Sequence, residues 1–372
     1  MMSEEQLLYY LALGLVSNIG DVHISILLEY FKDPKLIFTA KRKELESING
    51  IGTIRANAIK NFKDYKRVET ELNFIRKNAI KILVKGDVAY PKKMEHLQDA
   101  PHVMFFKGSV DINEYKIVSV IGTRLPTNYG KERVIELIKT LSHADVLVVS
   151  GLAYGIDTIA HKQSIKMGLP TIGVLGHGLD QIYPNANRSL AIEMLKKGGL
   201  LTEFMSQTKP DKQNFPLRNR IVSGIADAII IIESGDKGGS LITANMANAY
   251  NKDVFAFPGR SIDAQSIGCN ELIKTQRALL INNGEDFLIF MNWKSEAETK
   301  MPKQSALFLD LSNEEKQIIQ LMSKQEMIAI DHLAVLAALK SSQVSFLLLS
   351  LEMKGLIKVL PGNLYAINQA NL

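Results

Sequence analysis

The sequence predicts an α/β protein built on a doubly wound, largely parallel sheet, with a helical segment before it and a small helix-and-hairpin segment after it. Three observations carry that class. From Lys116 onward, short apolar strand patterns alternate with helical ones. Ala228–Ile232 is an unbroken apolar run rich in isoleucine, as a strand buried on both faces requires. Behind it, Lys237-Gly238-Gly239-Ser240 opens into the helical pattern Leu241–Ala249, so a glycine turn joins a strand end to a helix N-terminus.

Taken in order, residues 1–64 are expected to form a helical domain. Leu7, Leu8, Leu11 and Leu15 recur at helix spacing, as do Ile26, Leu27, Tyr30 and Phe31. Asn18-Ile19-Gly20 and Asn49-Gly50-Ile51-Gly52 interrupt the pattern in a way that resembles paired helix-hairpin-helix modules of SAM-like domains. Such turns can grip a phosphate or simply connect helices. Residues 65–291 are expected to hold the sheet. Its strands are placed at Ile80–Val84, Val103–Phe106, Ile117–Ile121, Val146–Val149, Thr171–Leu175, Leu200–Thr202, Ala228–Ile232, Val254–Phe257 and Leu279–Ile281. Helices are placed at Gly130–Leu141, Asp157–Met167, Ala186–Lys196 and Ser240–Tyr250. Residues 292–305, charged and polar around Trp293, are expected to be a linker. Residues 306–372 give helices at Asn313–Met322, Ile330–Ala338 and Ser341–Lys354, then a hairpin over Ile357–Ile367 turning at Pro361-Gly362-Asn363, an order that resembles a winged helix. Its candidate recognition helix carries Glu352 and no arginine, which favours protein contact or a structural role over duplex binding.

Bulk properties narrow the function by exclusion. The chain has 372 residues, 46% of them hydrophobic, enough for a large core and more than one domain. A formal charge of +5 is too small and too dispersed to argue for nucleic-acid binding by itself. The single cysteine, Cys269, excludes an intrachain disulfide framework and any cysteine-based zinc site. No targeting signal and no apolar run of membrane-spanning length is apparent, so a cytoplasmic protein without a membrane partner is expected.

In a doubly wound sheet, ligands bind beyond the carboxyl ends of the strands, near the switch in strand order. There the sequence delivers Gly122-Thr123-Arg124, Ser150-Gly151, Gly176-His177-Gly178, Glu233 through Ser240 and Pro258-Gly259-Arg260. Phe215, Arg218 and Arg220 are expected at the same edge, adding charge and a stacking face, and Pro216 would hold Phe215 in extended backbone. Phosphate plus base is the ligand type this combination suggests. The dinucleotide and Walker loops are absent, since Gly151-Leu152-Ala153-Tyr154-Gly155 lacks G-x-G-x-x-G and Lys237–Ser240 lacks the Gly-Lys-Ser/Thr order. Asp157 and His161 are better explained by a helix cap and a side-chain hydrogen bond than by a metal site. No cofactor is expected.

The segments SGLAYGIDTIAH (150–161), GLDQIYPNANR (178–188), NFPLRNRIVSG (214–224), GGSLITA (238–244) and FPG (257–259) resemble the DprA/Smf DNA-processing family, over about residues 87–287. The resemblance implies an extended Rossmann-like domain that binds single-stranded DNA without sequence preference, forms a homodimer and loads the RecA recombinase during natural transformation, with no enzymatic activity. It further implies a helical N-terminal domain and a C-terminal winged helix. Carried over by position, the DNA-binding set is Gly122, Thr123, Arg124, Ser150, Gly151, Phe215, Arg218, Asn219, Arg220, Lys237, Gly238, Gly239 and Ser240. Tyr154 stands where the family commonly has arginine, and Lys237 replaces a fork by a point charge. The late apolar segment Ala278–Met291 is the expected dimer surface. The alternative reading is a nucleotide-binding enzyme resembling the lysine-decarboxylase-like phosphoribohydrolases; the glutamate of their P-G-G-x-G-T-x-x-E motif is missing here.

Overall fold

The computed structural model describes residues 3–293, 311–323, 325, 328–354, 356–360 and 364–367. Two compact units result, residues 1–294 and 295–372.

The first unit opens with six helices: α1 (Glu4–Leu13), α2 (Asp21–Phe31), α3 (Pro34–Thr39), α4 (Arg42–Ser47), α5 (Gly52–Lys60) and α6 (Tyr65–Lys77). Leu13, Ile24, Leu27, Ile37, Leu45, Ile51 and Ile59 close a core among the first five. Both glycine turns need left-handed backbone, at Asn18 (φ 61°), Gly50 (φ 87°) and Gly52 (φ 59°). Arg55 ties them together, donating to the carbonyls of Asn18 (3.0 Å) and Gly50 (3.2 Å), while Lys60 donates to those of Phe38 and Ala40. Arg55 and Lys60 therefore spend their charge on backbone carbonyls of this helical segment. Helix α6 was not expected from the sequence, although Val68, Leu72 and Ile75 lie buried along it at helix spacing. A fourth inward residue, Glu71, is ionisable and 2% exposed.

The strands are β1 (Lys81–Val84), β2 (Val103–Gly108), β3 (Lys116–Gly122), β4 (Val146–Ser150), β5 (Thr171–Val174), β6 (Gly199–Thr202), β7 (Ala228–Ile232), β8 (Asp253–Ala256) and β9 (Leu279–Leu280). All nine expected strands are present to within one or two residues at each end. They form one nine-stranded sheet in the order β1-β2-β6-β5-β4-β3-β7-β8-β9. The seven from β3 to β9 run parallel, and β2 joins β6 antiparallel. The order reverses at β3, whose chain continues to β4 on one side while β7 pairs on the other.

Helices α7 (Asn128–Leu141), α8 (Ile156–Lys166), α9 (Arg188–Lys197), α10 (Asn214–Gly224), α11 (Gly239–Ala249), α12 (Ile267–Lys274) and α13 (Gly284–Phe290) cover the sheet. Strand alternation sorts the core. Ile229 and Ile231 face Ile221 and Val222 of α10, Ala244 of α11 and Leu272 of α12. Ile230 and Ile232 face Val134 and Leu137 of α7, Ile156 of α8 and Phe287 of α13. The helix α10 is a correction: no helix was expected over Asn214–Gly224, and Phe215, expected in extended backbone, is helical. Pro216 sits in the first turn, where a missing N–H breaks no helix hydrogen bond.

The second unit holds α14 (Asn313–Met322), α15 (Ile330–Ala337), α16 (Ser341–Met353) and the strands β10 (Ile328–Ala329), β11 (Ile357–Leu360) and β12 (Leu364–Ile367). The strands pair antiparallel in the order β10-β12-β11, over a core of Ile318, Leu333, Val344, Leu348 and Leu351. The helix and hairpin positions expected of a winged helix are met. The expected turn Pro361-Gly362-Asn363 and most of the linker 292–305 lie outside the described residues. Of the apolar run Phe346–Leu349, only Leu347 and Leu348 pack inward; Phe346 (71%) and Leu349 (56%) are exposed. Among the described residues, no single helix is long and apolar enough to cross a membrane.

Candidate nucleic-acid interface

The switch in strand order opens a groove of about 560 Å³ beyond the carboxyl ends of β3, β4 and β7. Its floor is made of residues whose own polar groups serve the fold. At Gly122 a Cβ would stand 2.0 Å from the Ile232 carbonyl oxygen, so β3 and β7 pair only because that atom is absent. Thr123 donates its amide to Glu233 (2.8 Å) and accepts from Ile156, which locks the β3 exit between β7 and α8. The Ser150 hydroxyl is buried and donates to Val120 (2.6 Å). Gly151 lies between two charged groups: an added Cβ would meet Arg218 Nη1 at 2.2 Å and Asp157 Oδ2 at 2.4 Å.

Arg218 is a fixed charge in this floor. It donates to the Val174 carbonyl (2.7 Å), and its Nε is buried with no partner among the described residues. Burial lowers its pKa and raises that of Asp157, each effect opposed by the other group's charge. Asp157 also accepts from the Ala153 amide in the loop before α8 (3.2 Å); it is not the helix cap expected of it, since the N-cap position is Gly155 and α8 has no side-chain cap. One turn on, His161 is wholly buried. A carbonyl only accepts, so the neutral ring donates from Nε2 to Gly151 O (2.6 Å) and accepts the Thr171 hydroxyl at Nδ1 (2.6 Å). No cluster of metal-ligating side chains occurs among the described residues.

The walls carry the recognition groups. Phe215, in the first turn of α10, is half-buried: its ring lies 6.1 Å from that of Tyr183, tilted by 35°, and the Arg124 guanidinium sits 5.8 Å from its centroid. Arg124 itself is exposed. Asn219 and Lys212 line the same groove. Across it, α11 starts at Gly239 without a side-chain cap, so its first amides and the positive end of its dipole face the opening. Gly238 and Ser240 line the groove beside Gly239; the Ser240 hydroxyl bonds that of Ser234 (2.8 Å). Lys237 is exposed in the same turn, outside the groove lining.

Arg220 does not join the rim. Two residues along a helix turn a side chain by about 200°, and Arg220 points away from the groove, is 9% exposed, and is ion-paired with Asp21 of α2 (3.0 Å) and with Glu203. The structure thus gathers Gly122–Arg124, Gly151, Phe215, Arg218, Asn219 and Gly238–Ser240, buries Ser150 beneath them, leaves Lys237 outside, and turns Arg220 away. Tyr183 and Lys212 were missed. Tyr183 sits inside a quoted motif, and its aromatic type was the available signal; Lys212 is one unremarkable lysine. Glu233, just past β7, is committed to the N-terminus of α7, accepting from the Thr127 amide (2.8 Å) and hydroxyl.

The family model described as DNA recombination-mediator protein A matches residues 81–292, and a DprA winged helix domain model matches residues 302–363. The DNA processing protein DprA of Bacillus subtilis is 37% identical over 266 residues, covering 70% of this chain and 88% of that one. Protein Smf of Synechocystis is 30% identical over 98% of this chain and 99% of its own length. The X-ray structure of DNA processing protein A from Streptococcus pneumoniae superposes with a TM-score of 0.67 at 30% identity, over 79% of this chain and all of that one. A Helicobacter pylori DNA processing protein A structure, described by its single-stranded DNA binding mode, gives 0.52 at 31%, over 58% and 97%.

Proposed function

Since the chain belongs to the DprA/Smf family of DNA-processing recombination mediators, we propose that its groove binds single-stranded DNA regardless of sequence. The observation that carries this reading is the half-buried Phe215 ring beside the exposed Tyr183 ring in a cationic, glycine-floored groove. Phosphates are held by Arg124, Lys212 and Arg218 and by the open amides at the start of α11. These contacts exist on duplex and single strand alike, so they cannot select between them. The aromatic face can, because a base plane is exposed only where pairing is absent. A strand held by its backbone with bases on a stacking platform remains open to a second protein, which supports the RecA-loading role. The exposed Leu279, Leu280, Ile289 and Phe290 supply a surface for the homodimer. The proposal assigns no catalytic residue.

The test is titration of matched single- and double-stranded oligonucleotides across a salt series, with wild type and Phe215→Ala. Wild type should prefer the single strand. Phe215→Ala should lose about 1–3 kcal/mol of single-strand affinity with an unchanged salt slope, whereas Arg124→Ala should flatten the slope. A wild-type protein that binds both forms equally would overturn the reading.

A further inference from the structure

Residues 203–213 leave β6 and enter α10, and Lys212 among them lines the groove wall that also carries Phe215. This loop is gripped from the helical side. Both carboxylate oxygens of Glu71 accept the Ser206 amide (3.0 Å each), and one also accepts the Ser206 hydroxyl (2.5 Å). Arg67, one turn earlier on α6, pairs with Glu71 (2.9 Å) and donates to the Ser206 carbonyl (2.5 Å). Every polar group of one loop residue is therefore taken by α6.

From Ser206 the contacts run on toward the groove. Two residues later the Thr208 carbonyl accepts from the Gly178 amide (3.1 Å) and from Gln181 Nε2 (2.8 Å). Gly178 and Gln181 belong to the turn that carries Tyr183, the ring partner of Phe215. A second tie starts at Glu203, which pairs with Arg220 of α10, and Arg220 in turn pairs with Asp21 of α2 (3.0 Å). The Asp21 carboxylate also accepts the His102 amide (2.9 Å).

Burying Glu71, with a half-buried Arg67 beside it, on an otherwise apolar helix face is a poor way to gain stability, since well-packed hydrophobic side chains do as well or better. What charge-assisted hydrogen bonds to one loop residue add is register. We propose that α6 is a positioning element for the groove: Glu71 and Arg67, which touch no ligand, set where the wall stands and so how Tyr183 and Phe215 face one another. The proposal rests on the groove being the single-strand site.

The test uses the full chain and a labelled oligo(dT). Glu71→Ala and the milder Ser206→Ala, which deletes only a hydroxyl, are each made alone and combined with Phe215→Ala, and amide hydrogen exchange is followed across 203–216. Glu71→Ala should weaken oligo(dT) binding about tenfold and Ser206→Ala about threefold. Both losses should nearly vanish in the Phe215→Ala background, because residues acting through one another are not additive. Exchange across the loop should quicken in both single variants. Wild-type affinity in folded Glu71→Ala, or losses that add fully to that of Phe215→Ala, would overturn the proposal. So would unchanged exchange, a readout that needs no ligand. Absence of oligo(dT) binding by wild type would instead remove the groove reading, leaving the exchange result to decide whether α6 orders the loop.

Discussion

At the scale of single residues, the groove is defined as much by what stands beneath it as by what lines it. His161 holds the Gly151 carbonyl from below, and complete burial pushes its imidazole down to about 4. In the unfolded chain it titrates near 6.5. Its contribution to stability is therefore full above pH 6.5 and is lost as pH falls from 6.5 through 4, at up to about 1.4 kcal/mol per pH unit. Thermal melting between pH 7 and 4 should fall more steeply for wild type than for His161→Gln, which has nothing to protonate; parallel curves would remove the assignment. Which arginine does what was not legible in the sequence. Arg218 and Arg220 stand two positions apart with the same chemistry in view, and only the phase of α10 sends one to the groove and the other to Asp21. That phase was hidden because α10 uses polar residues on both faces, so it has no apolar stripe to announce it.

At the scale of elements, strands were the most legible feature, since β3, β4 and β7 are β-branched runs buried on both faces and punctuated by glycine. Helix α6 was missed because Glu71 breaks the apolar stripe that Val68, Leu72 and Ile75 would otherwise make plain. The last elements divide sharply. Ile281, Phe287 and Leu288 are core, which removes them from the expected dimer surface, while Leu279, Leu280, Ile289 and Phe290 are 42–61% exposed on β9 and α13. An edge strand beside an exposed apolar helix face is an association site by its physics. Wild type should scatter light as a dimer at micromolar concentration, and Leu280→Asp with Phe290→Asp should be monomeric with its melting temperature retained. A dimer that survives both charges would place the interface elsewhere.

For the whole molecule, two units with separate cores should not melt as one. Calorimetry should resolve two transitions, and the chain ended at Lys294 should bind oligo(dT) with the affinity of the full chain, because the groove lies entirely in the first unit. A large loss on truncation would bring the second unit into single-strand binding. Its candidate recognition helix, α16, exposes Phe346, Leu349 and Met353 where a duplex reader would carry cations.

The place of β9 at the end of the sheet has a geometric consequence. If two copies join there strand to strand about a two-fold axis, the two β9 strands must run antiparallel. Each uses up its partner's free edge, so the assembly closes at two copies and cannot grow into a fibre. Every parallel strand of one copy then points opposite to its counterpart, and the two grooves open at opposite margins of the joined sheet. A single DNA strand could reach both only by bending around the particle, whereas two separate strands could each be held without meeting.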